Sequence, residues 1–330
     1  MSKEEHSGLE VVPVRHVGRW AGAVVVLIAI AMVIHTLFSR IPTGLSVCVT
    51  TAGKHVCHAT TKWRFQWNVV GQWLFSSEVL HGILLTLELT AAAMAIGIVL
   101  GVIIAILRLS GNRLLSGPAW VYTWFFRGTP VYVQIFFWFE VGLLYPRLTL
   151  GLPFLPVTFV SAPSTVITGI IAAILGLGLN EAAYMAEIAR AGIISVDEGQ
   201  VEAATSLGMT KRQALRLVVL PQAMRVIVPP TGNEVISMLK TTSLAASIGV
   251  LELFGRAQNI YASNYQIIGL IITASLWYLF LTTVLSIGQF YLERRFARGA
   301  LRTQPMTPIQ RLRHDLKIVR GYTRHAPVTR

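Results

Sequence analysis

The sequence predicts an all-α integral membrane protein with about six transmembrane helices and both termini on the cytoplasmic side. Three observations predict it. Of 330 residues, 54% are hydrophobic and only 13% charged, with a mean hydropathy of +0.61, a balance foreign to soluble domains of this length. Runs of about 20 apolar residues, the length that carries a helix across a bilayer core, recur along the chain. The charge is also lopsided: 28 Lys and Arg against 15 Asp and Glu give +13, and ten basic residues against two acids follow Leu292. Because that basic tail abuts an apolar span, cytoplasmic retention explains it more simply than nucleic-acid binding, and the same composition excludes disorder.

The first span, Ala21 to Phe38, is too long for the hydrophobic region of a signal peptide, and no small-x-small site follows it, so it reads as a retained anchor. The outer segment that follows, residues 39–77, contains Cys48 and Cys57. In an oxidising compartment these can form a disulfide; His55 and His58 beside Cys57 raise a metal site as the sharper alternative, but the spacing matches no common ligand pattern. Trp63, Trp67 and Trp73 precede the second span as interfacial aromatics. That span runs from about Val79 to Leu107, and an amphipathic stretch from Gly117 to Phe126 ends at Arg127, Thr129 and Pro130. An arginine there anchors at the boundary, with a gating or interface role as the alternative. The third span, about Pro130 to Tyr145, is short. The fourth is about Thr165 to Ala183, where Thr168, Ala172 and Gly176 recur every four residues as a packing face. The fifth is about Thr231 to Val250 and the sixth about Ile267 to Tyr291. With the N-terminus inside, the alternation places 21 Lys and Arg in cytoplasmic segments and six outside, which sets the orientation. Glu252 and Arg256 then fall outside as a local surface pair.

Between the fourth and fifth spans lies a polar stretch of about 40 residues, too long for a tight connection and too patterned for a linker. Ser195, Val196, Asp197 and Glu198 fit a capping box, so a helix is expected to start at Ser195 and to stop at Gly208. A second box, Thr210 to Gln213, starts another helix that carries Ala214, Leu215, Val218 and Val219 and ends before Pro221. A glycine-hinged helix pair lying on the membrane face is a compact object for another protein to grip. Ala203 and Ala204 allow close approach, Glu202 offers a carboxylate to a cation, and Gly208 permits the turn.

Glu202-Ala203-Ala204, three residues, Gly208, nine residues, then Val218-Val219-Leu220-Pro221 resembles the EAA loop of ABC importer permeases. Arg127-Gly128-Thr129-Pro130, Ala186-Glu187-Ile188-Ala189-Arg190, Gly199-Gln200, Leu220-Pro221-Gln222-Ala223 and Leu239-Lys240-Thr241-Thr242-Ser243-Leu244 resemble, more narrowly, the polar amino acid branch of histidine, glutamine and glutamate type. The resemblance covers about Glu78 to Arg298. It departs at Asp197, Ala191 and Thr241, where proline, glycine and aspartate are usual. It implies a type I importer-like permease core over residues 78–298, with the EAA loop at about 187–225 as the coupling element. Residues 1–20 are then a cytoplasmic segment, 21–38 an extra anchor and 299–330 a basic cytoplasmic tail.

The resemblance further implies a transport subunit of a bacterial plasma membrane that is not itself an enzyme. Its partners would be a second, identical or similar permease, two ABC ATPase subunits that bind ATP and Mg, an extracytoplasmic amino-acid-binding protein and the lipid bilayer. No G-x-x-x-x-G-K-[ST] occurs in the chain, so no cofactor is expected on it. Coupling would fall to Glu202, Ala203, Ala204, Gly208, Leu220 and Pro221.

Ionisable residues inside spans are costly and point to function. In the fifth span Asn233, Ser237, Lys240 and Thr241 fall at i, i+4, i+7 and i+8, a polar stripe that should face a cavity. Lys240, near mid-span, needs a carboxylate or water; the partner is either the substrate or an internal acid, Glu88 or Glu140. An ion-coupled secondary transporter using these three residues is the competing class, but no internal repeat relates the two halves of the chain.

Overall fold

The structure is a computed structural model, and it describes residues 17–51, 54–144, 147–151, 158–163 and 167–296. Both termini lie outside the described residues. The chain divides into two compact units, Met1–Trp73 and Leu74–Arg330.

In the first unit, α1 (Val17–Leu37) is followed by a hairpin of β1 (Arg40–Thr51) and β2 (Lys54–Trp63) and by a short α2 (Trp67–Trp73). The apolar side chains of α1, Leu27 at 63% and Met32 at 65% among them, are exposed all round, as on a helix that faces lipid. The antiparallel register pairs Cys48 with Cys57 at the backbone. Their side chains, like those of His55 and His58, lie outside the described ones.

The second unit is a helical bundle. It comprises α3 (Ser77–Arg108), α4 (Arg113–Gly128), α5 (Val131–Leu144), a hairpin of β3 (Arg147–Gly151) and β4 (Thr158–Pro163), α6 (Gly169–Ile194), α7 (Glu198–Ser206), α8 (Lys211–Ala214), α9 (Leu220–Thr241), α10 (Leu253–Asn264) and α11 (Ile267–Phe296). Helices α3, α6 and α11 are long and apolar enough to cross a membrane. The stretch Lys211–Ile248 with Leu253–Asn264 qualifies as a pair bent by 41°, and Val131–Val141 is a shorter apolar helix. The spans and the core are helical, as expected, and among the described residues strands occur only in the two hairpins.

Helix α6 is the centre of this unit, with α3, α4, α5 and α9 packed on it. Small residues permit this. On α3, Gly97 and Gly101 sit at i and i+4; a Cβ on Gly101 would stand 2.5 Å from Met185 Cβ and 3.0 Å from the Ala182 carbonyl, so the backbones approach as small-xxx-small pairs do. Gly176 on α6 likewise lies against the Ile135 backbone of α5, so Ala172 and Gly176 do form the packing face read from the sequence, while Thr168 caps the helix. The buried cluster includes Leu89, Ile135, Leu177, Met185 and Met238.

Two local expectations are corrected. The helix that follows Thr210 does not end before Pro221. It widens into a π turn over Leu215–Val219, in which the Leu220 N–H reaches the Leu215 carbonyl, and continues as α9. Proline lacks the N–H and crowds the carbonyl four residues back, and the wider turn relieves that crowding. Glu252 and Arg256 are not a surface pair. Glu252 is fully buried, and its carboxyl accepts from Phe254 N at 3.0 Å, Gly255 N at 2.7 Å, Tyr278 Oη at 2.7 Å and Thr86 Oγ1 at 3.3 Å. It caps α10 and ties that helix to α3 and α11. A four-residue spacing shows that two charges can meet on a helix face, not which face the fold will bury.

Candidate functional site

Helix α7 begins later than the capping-box pattern suggested. Ser195 closes α6, its hydroxyl donating to Gly192 O at 2.7 Å, and Asp197 is the N-cap, its Oδ1 accepting from Gly199 N at 2.7 Å. Helix α6 runs on to Ile194 and uses the serine at its own end, which leaves Asp197 to open α7.

The far end of α7 follows the expectation. Gly208 has φ +80°, its N–H bonds to Thr205 O at 2.9 Å, and Met209 N–H bonds to Ala204 O at 3.1 Å. This paired arrangement is the Schellman closure that favours glycine. No atom lies within 4 Å of the place a Cβ would take on Gly208, so conformation rather than space selects it. The next helix opens with the expected box: Thr210 N donates to Gln213 Oε1 at 2.8 Å, and Gln213 N to Thr210 Oγ1 at 3.3 Å.

Glu202, Ala203 and Leu207 are exposed, Leu207 at 82%. Ala204 is not available to a partner: it is 4% exposed and packs inward, so the outward face is narrower than the motif suggests. A cavity of about 550 Å³ opens beside α7, between the end of α6 and the π turn, lined by Ile194, Val201, Leu215 and Val219 among others. Leu220 and Pro221 are exposed just beyond it.

Within the membrane, Asn233, Ser237 and Lys240 are exposed on α9, and Thr241 is half-buried with its hydroxyl donating to Ser237 O at 2.9 Å. The stripe therefore faces away from the bundle, and Gln289 of α11 donates to Asn233 Oδ1 at 2.9 Å. The internal ion pair does not form. Glu88 and Glu140 are exposed on α3 and α5, and among the described residues neither is bridged to Lys240.

Two carboxylates that the sequence reading did not single out hold the interior instead. Glu181 on α6 is 3% exposed with Oε1 lacking a hydrogen-bond partner, packed under Gly97 and close enough to Glu234 of α9 to feel its charge. It was legible as an acid inside an apolar run. Glu187, one turn and a half further along, is met by three guanidinium groups: Arg108 at 3.3 Å, Arg190 at 3.0 Å and Arg127 at 3.9 Å. Arg127 also lies 5.4 Å from the centre of the Tyr184 ring. Thr129 and Pro130 form the turn between α4 and α5, where Gln134 donates to Thr129 O and Oγ1 at 3.1 and 2.7 Å. The Gln134 amide thus ties α5 to the end of α4, and Asn180 of α6, which donates to Phe126 O at 2.7 Å, holds α4 against α6.

The profile of the family described as binding-protein-dependent transport system inner membrane component matches residues 97–298, most of the helical bundle. The chain belongs to this family. The arginine transport system permease protein ArgU of Corynebacterium glutamicum is 42% identical over 296 residues, 89% of this chain and 85% of the relative. The histidine/lysine/arginine/ornithine transport system permease protein HisM of Escherichia coli is 36% identical over 204 residues, 62% of this chain and 82% of the relative. Among solved structures, an amino acid ABC transporter crystallised with histidines matches with a TM-score of 0.57 and 32% identity, covering 71% of this chain and 99% of that one. The chain is therefore a multi-pass protein of the inner membrane, in keeping with the importer permeases whose EAA loop it resembles, and an ion-coupled carrier is left without support.

Proposed function

We propose that this chain forms half of the translocation pathway of an ATP-driven importer for a polar, cationic amino acid, and that a separate ATPase works it through α7. One observation carries the reading. From the exposed α7 the backbone turns at Gly208 into a helical run from Lys211 through the π turn to Thr241, about 45 Å at 1.5 Å per residue, and this run bears Asn233, Ser237 and Lys240. A force applied at Glu202 and Ala203 is delivered by a stiff lever to the polar stripe, which is what alternating access between two faces of a membrane requires.

ATP and Mg are held by the partner ATPase, since the chain has no phosphate-binding loop of its own. A second permease, identical or similar, faces the outward stripe and completes the pathway; two ATPases and an external binding protein complete the transporter. Lys240 suits the substrate carboxylate. Glu181, its Oε1 unpaired, and Glu234 beside it favour a positively charged side chain, in keeping with the arginine and histidine/lysine/arginine/ornithine systems among the relatives.

Glu202→Ala and Gly208→Val, expressed with the ATPase and the binding protein, test the coupling. Insertion into the membrane is expected to be normal, because Glu202 is exposed and the cost of a side chain at φ +80° is about 1–2 kcal/mol, while uptake falls at least about tenfold. Normal ATP-dependent uptake in both variants would overturn the reading.

A further inference from the structure

The arginines around Glu187 are more than its charge requires. Three guanidinium groups meet one carboxylate, and they differ in how far they are satisfied. Arg190 makes two close contacts to Oε2, at 3.0 and 3.1 Å. Arg108 is mostly covered and divides itself between Glu187 and Thr123 Oγ1, at 2.6 Å. Arg127 is left over: at 3.9 Å from the carboxylate it is beyond hydrogen-bonding reach, its side chain is 45% exposed, and the Tyr184 ring positions it.

Beside Arg127 opens a cavity of about 350 Å³, lined by Arg108, Arg127, Thr123, Trp120 and Trp124, with the Glu187 carboxylate also in its wall. Its wall, α4, is built to lie in the membrane interface. Asn112 caps it, Leu114, Val121, Trp124 and Phe125 are exposed along it, and Trp120 and Trp124 stack at 6.2 Å. The apolar outer face and paired indoles place the helix at headgroup depth, on the side that the basic bias of the chain assigns to the cytoplasm.

A guanidinium fork with unused donors, held at that depth, matches a phosphate better than it matches water. We infer that Arg127, with Arg108 behind it and Trp120 and Trp124 at the rim, binds the phosphate of an anionic phospholipid of the cytoplasmic leaflet. The lipid phosphate completes the charge balance that Glu187 leaves unfilled, and the indoles cover the start of the acyl chains. Such a lipid holds α4 against α6, the helix that leads directly to α7.

The test is native mass spectrometry of the full-length protein in detergent, titrated with phosphatidylglycerol, with phosphatidylcholine and with inorganic phosphate. Retention of phosphatidylglycerol at least about tenfold above phosphatidylcholine is expected, together with a loss of about tenfold in Arg127→Gln and a partial loss in Arg127→Lys, which keeps the charge without the fork. Arg225→Gln, an exposed arginine elsewhere on the cytoplasmic side, controls for general charge and is expected to bind like the unchanged chain. Equal retention of both lipids, unchanged binding in a monodisperse Arg127→Gln, or displacement of the lipid by millimolar inorganic phosphate would overturn the assignment.

Discussion

Replacing Glu252 by alanine tests whether a single buried carboxyl holds the break in the fifth span. Its four contacts differ in weight. The two backbone N–H groups of Phe254 and Gly255 make it the N-cap of α10, a contribution of about 1 kcal/mol. The Tyr278 hydroxyl, at 2.7 Å, makes a bond to a charged group that contributes about 1.5–3 kcal/mol. Thr86 loses least, because its hydroxyl also donates to Gly82 O at 2.9 Å. The total is about 3–4 kcal/mol, which at about 2–4 °C per kcal/mol for a chain of this size lowers Tm by roughly 10 °C. Tyr278→Phe removes one contact and should lower it by about half as much. Glu252→Gln is expected to resemble the alanine variant, because its amide presents donors to groups that already donate. The assay is thermal unfolding of the detergent-solubilised protein, read by loss of the monodisperse peak in size exclusion. A Glu252→Ala protein that melts within about 1 °C of the parent would restore the surface-pair view, in which the exposed contact contributes about 0.5 kcal/mol, and would refute the burial argument.

Three further outcomes are expected. Gly101→Ala places a methyl 2.5 Å from Met185 Cβ and should cost about 1–3 kcal/mol as α3 and α6 separate; an unchanged melting point would show that the helices do not depend on this close seat. Lys240→Ala should weaken arginine uptake at least about tenfold in proteoliposomes, because the α-carboxylate loses its cation, and unchanged uptake would remove Lys240 from the pathway. Glu181→Gln should lower arginine uptake about tenfold relative to glutamine in the same assay, whereas a constant ratio would make Glu181 structural.

The parts of this protein that the sequence determines by itself are those whose physics is complete within one or two helical turns. Apolar run length places α1, α3, α5 and α11 close to their observed bounds, because crossing a bilayer depends only on consecutive residues, whereas α6 runs on past the expected end at Ala183 to Ile194. Gly208 ends α7 and Thr210 opens the next helix for the same reason: each closure bonds groups no more than five residues apart. Ser195 and Asp197 show the limit of such local reading. Both can cap, and the choice rests on how far α6 extends, which its packing decides.

What only the tertiary structure decided concerns partners that lie on different elements. Pro221 looked like a stop until the π turn carried the helix past it. Ala204, indistinguishable from Ala203 in composition, faces inward because the π turn packs behind it. Glu252 meets Tyr278 and Thr86 from helices far away in sequence, and Glu187 gathers arginines from α3, α4 and α6. A charge in a membrane chain must find compensation, so the existence of such groups can be read from the residue string. Which group supplies the compensation depends on close backbone approaches, at Gly97, Gly101 and Gly176, that juxtapose distant segments and leave no trace in local spacing.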